Sequence, residues 1–178
     1  MASELIRYAL VEDDLIRLSQ LINQIYTNTE AGMWKSSFKR VHPNELRTLV
    51  SEKKVIVYTK DDTIVASIML TANTSDIYEF GMLICSEEHR HQGIASKLIK
   101  RSEVIALEAK AKKMQLHILY PKDFTIPTKE VLKSWYVSLG YKYKETKIAD
   151  SDLGVCFNDL KCSCLISKYE KELKKASY

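Results

Sequence analysis

The spacing of hydrophobic side chains predicts that the chain opens with a strand and a helix. Residues 5–10 alternate between apolar and polar positions, which is the two-residue period of a strand. The apolar positions that follow are three or four residues apart and predict a helix, which we expect Asp13 or Asp14 to cap. The predicted buried side of this helix comprises Leu15, Leu18, Leu21, Ile22 and Ile25. Residues 27–41 show no period and are predicted to form a loop or an irregular helix.

The middle of the chain is predicted to form a helix followed by a β-hairpin. Pro43 is placed to start the helix, because proline is favoured in the first helical turn. Residues 55–59 and 63–70 are rich in β-branched side chains, and the polar residues 60–62 between them favour a tight turn. The sheet is therefore expected to begin as an antiparallel meander.

An apolar strand that leads through a glycine turn into an amphipathic helix is the most informative feature of the chain. Residues 77–85 are almost entirely apolar, which is typical of a strand buried on both faces, and Gly93 lies in the turn that follows. The predicted buried positions of the next helix are Ala95, Leu98, Ile99, Ser102, Ile105, Ala106 and Ala109. The first N–H groups of a helix have no partner within it and lie at the positive end of its dipole. This turn is therefore predicted to bind an anion.

The last third of the chain is predicted to hold a strand, a short helix and a pair of strands. Residues 115–120 form the strand, and Thr128 is expected to cap the helix, which Gly140 ends in a left-handed conformation. The predicted buried face of the helix comprises Val131, Leu132, Trp135, Tyr136 and Leu139. Residues 141–148 and 162–169 are predicted to pair in antiparallel fashion.

The composition indicates one folded domain. The chain has 178 residues, of which 46% are hydrophobic and 28% are charged, and this length supports one ordinary core. We therefore expect a single domain over residues 1–178. No apolar run approaches the ~20 residues that cross a bilayer, and residues 1–4 turn polar too early for a signal sequence. A cytoplasmic protein without membrane association is expected.

Neither the charge nor the cysteines indicate a nucleic-acid site or a metal site. The net charge is only +4, and the lysines near the end of the chain are expected to lie on a solvated helix or a frayed terminus. These lysines are Lys168, Lys171, Lys174 and Lys175. The cysteines are too unevenly spaced for a disulfide framework, and Cys162 and Cys164 lack a second pair of metal ligands. Buried thiols are expected instead, at Cys85, Cys156, Cys162 and Cys164.

Two short motifs carry a resemblance to a known family. Arg90, Gly93 and Ala95 stand in the order Arg-x-x-Gly-x-Ala, which resembles the pyrophosphate-binding signature of the GNAT superfamily of acetyl-CoA-dependent N-acetyltransferases. Residues 135–141 are similar to the superfamily's aromatic-Tyr-x-x-aliphatic-Gly-aromatic segment. The turn lacks the Lys-Ser/Thr of a Walker loop and the three glycines of a dinucleotide fingerprint. The resemblance spans roughly the whole chain and implies an α/β fold of GNAT type, with a mixed, mostly antiparallel central sheet and helices on both faces.

The resemblance implies that acetyl-CoA is the acyl donor. In the superfamily, the strand before the glycine turn diverges from the next strand and pairs with the pantetheine arm, and the turn wraps the pyrophosphate. The corresponding positions here are Leu83, Ile84, Cys85, Arg90, His91, Gln92, Gly93, Ile94, Ala95 and Ser96. For Arg90 two roles stay open, a contact with phosphate and a purely structural hold on the loop. At Gly93 a side chain would block the close approach of the pyrophosphate.

The resemblance also implies two catalytic residues. Glu79 matches the glutamate with which several members deprotonate the amine through water, and a surface or structural role is the alternative. Tyr136 matches the tyrosine that protonates the departing thiolate, and a packed aromatic is the alternative. The amide of Ile84 is expected to hold the oxyanion. Lys129 departs from the family pattern, because many members carry an asparagine there, and a lysine is long enough to reach a phosphate of coenzyme A.

Cys85 and His117 are not expected to act in catalysis. Cys85 belongs to an apolar strand with no base beside it, so direct transfer is favoured over an acetyl-cysteine intermediate. His117 is expected to be a core or rim residue.

The acceptor is predicted to be a small primary amine. Glu30 and Trp34, with Tyr26 just before them, are expected to form its pocket, since an amine favours a carboxylate and an aromatic face. Two alternatives stay open: an enzyme that acetylates a protein lysine or N-terminus, and a non-catalytic acyl-CoA-binding sensor. The sequence does not decide between a monomer and a homodimer.

Overall fold

A computed structural model of the protein describes residues 3–149 and 157–174. Its strands are β1 (Glu4–Tyr8), β2 (Val55–Lys60), β3 (Thr63–Ala72), β4 (Ile77–Cys85), β5 (Lys113–Pro121), β6 (Lys142–Ile148) and β7 (Cys164–Glu172). Its α-helices are α1 (Val11–Thr29), α2 (Pro43–Ser51), α3 (Ile94–Glu108) and α4 (Pro127–Ser138). The described strands form one sheet in the order β1-β2-β3-β4-β5-β7-β6.

The sheet is antiparallel at every strand pair except β4–β5, which is parallel. That pairing begins at Ile77↔Lys113 and ends at Glu79↔Gln115, so the two strands diverge over the rest of their length. Met82 lies in β4 with a φ of 44°, close to a shift in the register between β3 and β4. A bulge of this kind bends a strand, and here it accompanies the divergence of β4 from β5. The result is a gap in the middle of the sheet.

Helices cover both faces of the sheet, as predicted, and each face has its own core. In β2, Ile56 and Tyr58 contribute to one core, whereas Val55 and Val57 contribute to the other. The first core also contains Leu98 and Ile99 of α3, Met114, Leu116 and Ile118 of β5, and Tyr136 of α4. The second core also contains Leu15, Leu18, Ile22 and Ile25 of α1 and Leu46 of α2. The strand and helix types that hydrophobic spacing predicted are thus confirmed.

Three local predictions are also confirmed. Asp61 and Asp62 have φ values of 48° and 60°, so the β2–β3 turn is left-handed at both central residues, and such a turn matches the twist of a hairpin. Pro43 occupies the first turn of α2. Gly140 follows α4 with a φ of 91°, which is the left-handed conformation expected at the end of a helix.

The predicted caps of α1 and α4 are wrong. The N-cap of α1 is Leu10, three or four residues before the predicted aspartates, because the chain leaves β1 at Tyr8 and turns directly into the helix. The N-cap of α4 is Ile126, and Pro127 starts the helix, so Thr128 lies inside its first turn. Neither cap makes a side-chain hydrogen bond.

The buried face of α4 differs from the prediction at two positions, whereas Leu132, Trp135, Tyr136 and Leu139 pack against the core as predicted. Val131 is 68% exposed, whereas Lys129, which was not predicted to be buried, is only 8% exposed. Lys129 and Tyr136 are the buried residues of this helix, and Val131 lies at the surface. Hydrophobic spacing alone did not reveal that a charged residue takes an inward position.

Two further predictions need correction. Most of β4 is only half-buried and not buried on both faces, because β5 diverges from it and leaves one edge open. Lys168 and Lys171 belong to β7 and not to a terminal helix, and they pair with Glu170 and Glu103 respectively. Lys175 and Cys156 lie outside the described residues.

Within the part of the chain that the structure describes, no cluster of residues is suited to hold a metal ion. Cys162 and Cys164 are free thiols with their sulfur atoms 3.7 Å apart. The helices of the described segments are all too short or too polar to cross a bilayer.

Candidate active site

A cleft of about 1080 Å³ opens where β4 and β5 diverge. Its walls are formed by these two strands, by the first turn of α3, by one side of α4, by the end of α1 and by the loop after α1. The cleft-lining residues that the sequence had predicted for a site are Glu30, Trp34, Glu79, Leu83, Ile84, Cys85, Arg90, His91, Gly93, Ile94, Ala95, Ser96 and Tyr136. The fold thus brings residues from three separate parts of the chain, 30–34, 79–96 and 136, to one cavity.

The glycine turn presents unpaired backbone N–H groups to the cleft. Gly93 is the N-cap of α3 with a φ of 75°, and this helix start has neither a side-chain cap nor an acidic residue in its first turn. The first helical hydrogen bond runs from Lys97 N–H to the Gly93 carbonyl oxygen. A Cβ built on Gly93 meets no atom within 4 Å, so the space beside it is open. These features suit an anion that approaches the backbone closely.

Gln92 differs from its neighbours in the turn. Its side chain donates a hydrogen bond to the Glu88 carbonyl oxygen at 3.1 Å and does not line the cleft. Arg90 does line the cleft, and its guanidinium lies 3.9 Å from the Glu87 carboxylate, a long contact between exposed groups.

The open edge of β4 has a defined set of free backbone groups. Ser86 N–H donates to the Val65 carbonyl oxygen, and Cys85 and Ile84 lie opposite the next two residues of β3. Since backbone groups alternate in direction along a strand, the Ile84 amide also points to β3. The amides of Leu83 and Cys85 point to the gap instead. The open edge therefore favours Leu83, and not Ile84, as an oxyanion donor.

Tyr136 lies on the α4 wall of the cleft and is 6% exposed. Its ring packs against Phe80 at 5.8 Å and against Trp135 at 5.0 Å between ring centroids. Burial, together with the nearby Tyr26, raises the pKa of Tyr136 above that of a free phenol. Among the described residues, its hydroxyl has no hydrogen-bond partner. The phenol is therefore protonated at neutral pH and available to donate.

Glu79 lies at the last position of β4 that pairs with β5, and three side chains donate hydrogen bonds to its carboxylate. Asn73 Nδ2 and Gln115 Nε2 each donate to Glu79 Oε2 at 2.7 Å. His117 Nδ1 lies 3.0 Å from Glu79 Oε1. Burial by itself would raise the pKa of Glu79, but the hydrogen bonds from His117, Gln115 and Asn73 lower it to about 2. Glu79 is therefore ionised at neutral pH and has a low affinity for protons.

His117 is the cleft residue that sequence reasoning missed. It was expected to be a core or rim residue without a catalytic role, and its side chain, which is 31% exposed, lines the cleft beside Glu79. A signal was present in β5, because Gln115 and His117 are polar residues at alternate positions of an apolar strand. Only the pairing of β4 with β5 shows that these residues share a face with Glu79.

Glu30 and Lys129 form a buried ion pair across the cleft. The Lys129 ammonium contacts Glu30 Oε1, and Trp34 Nε1 donates to Glu30 Oε2 at 2.6 Å. The Lys129 side chain is 10% exposed and the Glu30 side chain is 2% exposed. The expectation that Lys129 reaches a phosphate of coenzyme A is therefore wrong. Glu30 lines the cleft as expected, but both of its carboxylate oxygens are already engaged.

The loop after α1 is fixed over one end of the cleft. Trp34 stacks on Phe38 with 4.0 Å between ring centroids, and it pairs with Leu160 in a β-bridge. Lys35 N–H donates to the Asp159 carbonyl oxygen at 2.8 Å. Arg40 lies over the ring of Tyr26 at 4.5 Å. The predicted acceptor end of the cleft is thus an aromatic-walled pocket.

Residues 51–143 match the family model described as the acetyltransferase (GNAT) domain. This stretch covers more than half of the chain and includes β2–β5, the glycine turn, α3 and α4. The chain belongs to the GNAT family. No curated protein matches the chain.

Solved structures share this GNAT fold at low sequence identity. The protein yncA of Salmonella typhimurium, solved with its cofactor acetyl-CoA, is 16% identical with a TM-score of 0.70, over 99% of this chain and 97% of that chain. The PaiA N-acetyltransferase of Thermoplasma acidophilum, solved with coenzyme A, is 18% identical with a TM-score of 0.73, over 96% and 99% respectively. The ribosomal-protein-S18-alanine N-acetyltransferase of Escherichia coli is 10% identical with a TM-score of 0.66, over 98% and 97%.

The buried ion pair generates a stability prediction. We expect Lys129→Met to lower the free energy of unfolding by about 3 kcal/mol or more, because it leaves the Glu30 carboxylate buried without its counter-ion. The double variant Glu30→Gln with Lys129→Met should recover part of this loss. Urea unfolding curves of the purified variants measure both effects.

Lys112→Met is the matched control for this experiment. Lys112 also pairs with a carboxylate, that of Asp76 at 2.8 Å, but its side chain is 71% exposed. Lys112→Met should lower the free energy of unfolding by less than about 1 kcal/mol. Equal losses for Lys129→Met and Lys112→Met would contradict a structural role for the buried pair.

Proposed function

We propose that this GNAT protein transfers the acetyl group of acetyl-CoA directly to a small primary amine. The observation that carries the proposal is the gap between β4 and β5, which has the anion-binding turn at one end and the Glu79–His117 pair and Tyr136 on its walls. The whole chain, residues 1–178, is proposed to act as a single domain.

Acetyl-CoA fits the cleft in one orientation. The N–H groups that follow Gly93 suit the pyrophosphate, and the open edge of β4 offers the amides of Leu83 and Cys85 to the amide groups of the pantetheine arm. The thioester then lies deeper in the gap, between Glu79 and Tyr136. Two structural neighbours with this fold were solved with acetyl-CoA or coenzyme A, which supports the placement.

The chemistry requires two proton movements. An alkylamine is protonated at neutral pH, with a typical pKa near ~10.4, so a proton must leave before its nitrogen attacks the thioester carbonyl. The Glu79–His117 pair is the proton-accepting group at this point of the cleft. As the carbon–sulfur bond breaks, the Tyr136 hydroxyl gives a proton to the departing thiolate. The amide of Leu83 is placed to hold the oxyanion.

Direct transfer is favoured over an acetylated cysteine. Burial raises the pKa of the Cys85 thiol, although the charge of Arg90 partly opposes this, so little thiolate is present at neutral pH. The Cys85 thiol also points to the His89 carbonyl oxygen at 3.5 Å. A small acceptor is favoured over a protein because the fixed loop with Trp34 and Phe38 walls the acceptor end of the cleft.

The first test is thiol release from acetyl-CoA by the purified protein. We expect release with at least one member of a panel of polyamines, amino acids and aminoglycosides, because the loop with Trp34 and Phe38 walls the acceptor end of the cleft. Peptides with free N-termini or lysines form a second panel. Thiol release with peptides alone would contradict a small-molecule acceptor and indicate a protein acceptor. Acetyl-CoA binding without thiol release in either panel would contradict an enzyme and indicate a non-catalytic sensor.

Gly93→Ala tests the pyrophosphate site. The left-handed φ of 75° makes a side chain costly by about 1–2 kcal/mol in stability, and the new Cβ occupies the open space that the phosphates need. We expect acetyl-CoA to bind at least about tenfold more weakly, a loss of about 1.4 kcal/mol. Isothermal titration calorimetry measures the dissociation constant.

Gly140→Ala is the control for that substitution. Gly140 has a similar φ of 91°, but a Cβ there meets only the Lys171 side chain, away from the cleft. The Gly140→Ala variant should lose about as much free energy of unfolding as Gly93→Ala and should keep the wild-type affinity for acetyl-CoA. Equal affinity losses in both variants would show that Gly93→Ala acts through folding alone.

Tyr136→Phe tests the proposed acid. The substitution keeps the packing on Phe80 and removes the hydroxyl, so we expect kcat to fall by about 10²-fold while the dissociation constant of acetyl-CoA stays unchanged. Steady-state kinetics and calorimetry supply the two values. Tyr141→Phe is the matched control, because its hydroxyl bonds to Glu103 outside the cleft. A fall in kcat no larger than that of the control would remove Tyr136 from the mechanism.

A further inference from the structure

The polar cluster on β4 and β5 has an internal order that the proposed function does not specify. Glu79 and Gln115 stand opposite each other at the last paired position of the two strands. His117 follows two residues later in β5, so it shares a face with Gln115 and lies at the mouth of the gap. Glu79 and His117 are in contact there, with 3.0 Å between Oε1 and Nδ1.

We propose that His117 takes the proton from the acceptor amine and that Glu79 is the residue that positions it. This inference rests on the proposed function, since it concerns the proton step of the same transfer. It reverses the sequence-based expectation, in which Glu79 was the base and His117 had no role.

Glu79 is arranged to remain a carboxylate. Its Oε2 atom accepts hydrogen bonds from both Asn73 and Gln115, and its Oε1 atom faces His117. The amide nitrogens are pure donors, so protonating Glu79 would disrupt contacts that favour the anion. The low pKa of about 2 agrees with this arrangement. A carboxylate held in this way is a weak proton acceptor and a strong hydrogen-bond acceptor.

That carboxylate selects the tautomer of His117. An ionised carboxylate only accepts hydrogen bonds, so a neutral imidazole beside it carries its proton on Nδ1 and leaves Nε2 as an acceptor. Among the described residues, Nε2 of His117 has no hydrogen-bond partner. The side chain is 31% exposed and lines the cleft, so Nε2 is accessible to an incoming ligand.

The other charged groups around His117 are already paired. Across the sheet, Lys168 of β7 lies opposite His117 in register, and its ammonium binds the Glu170 carboxylate at 2.8 Å. The Glu30 carboxylate of the cleft is committed to Lys129 and Trp34. Glu79 is therefore the carboxylate in contact with the imidazole, and its charge stabilises the imidazolium that forms after proton transfer.

The acceptor nitrogen loses two protons during the transfer. One proton moves from the ammonium nitrogen of the acceptor to Nε2 of His117, and the neutral amine attacks the thioester carbonyl. The carbon–sulfur bond breaks, the leaving thiolate takes a proton from Tyr136, and the second proton lost by the nitrogen restores Tyr136. His117 then releases its proton to water. The sum converts an ammonium ion and acetyl-CoA into an acetamide, coenzyme A and one proton.

The test compares His117→Gln and Glu79→Gln with the wild-type protein, using an acceptor amine from the small-molecule panel. For His117→Gln we expect kcat to fall by about 10²-fold and the acidic limb of the kcat–pH profile to disappear. For Glu79→Gln we expect a smaller fall and a limb that is kept but moved to lower pH, because the imidazolium loses its counter-charge.

Three controls separate chemistry from folding. Acetyl-CoA affinity by calorimetry should be unchanged in both variants, since neither residue lies on the pyrophosphate side. Added imidazole should restore activity to His117→Ala but not to Glu79→Ala, which a purely structural role of His117 would not produce. His42→Gln changes a histidine that lies at the exposed start of α2, and it should leave kcat at the wild-type value.

The outcomes are distinguishable. Loss of the acidic limb in Glu79→Gln with its retention in His117→Gln would make Glu79 the base and overturn the assignment while leaving acetyl transfer intact. Wild-type kinetics in His117→Gln would overturn it in the same way. Absence of thiol release by the wild-type protein would overturn the proposed function together with this inference.

Discussion

The divergence of β4 from β5 is the constraint on which the rest of the structure depends. Neighbouring strands satisfy each other's backbone groups, and a break in the middle of a sheet leaves two rows of donors and acceptors without a strand partner. Here the break follows the pair Glu79↔Gln115 and is accompanied by the bulge at Met82. The break opens a cleft in a sheet that would otherwise be continuous, and the candidate site residues line that cleft.

The two ends of the opening differ in their electrostatics. At the α3 end, the backbone N–H groups that follow Gly93 have no capping side chain. These N–H groups and the helix dipole favour an anion there, and no buried lysine or arginine is needed to attract it. At the other end, Glu79 is surrounded by the donors Asn73, Gln115 and His117. A polyanionic cofactor and a cationic acceptor are therefore directed to opposite ends of one cleft.

The buried pair of Glu30 and Lys129 links the part of the chain before the sheet to the helix after it. It joins the end of α1 to the first turn of α4, and Trp34 completes the coordination of the carboxylate. Burying two charges gains little net stability, but breaking such a pair is costly, so the pair defines one arrangement of the loop. The same pair explains why Lys129, and not Val131, faces inward on α4.

The sequence by itself determined the order of strands and helices, the buried face of α1 and the turn at Gly93, because these depend on local spacing and on the conformations that glycine and proline allow. The family resemblance also pointed to Tyr136 and to the strand before the glycine turn, and both line the cleft where β4 diverges from β5. The tertiary structure alone decided that Glu30 is neutralised by Lys129 and that Glu79 meets His117. Those partners are 99 and 38 residues apart, and no local period encodes a contact between side chains that only strand pairing and helix packing bring together.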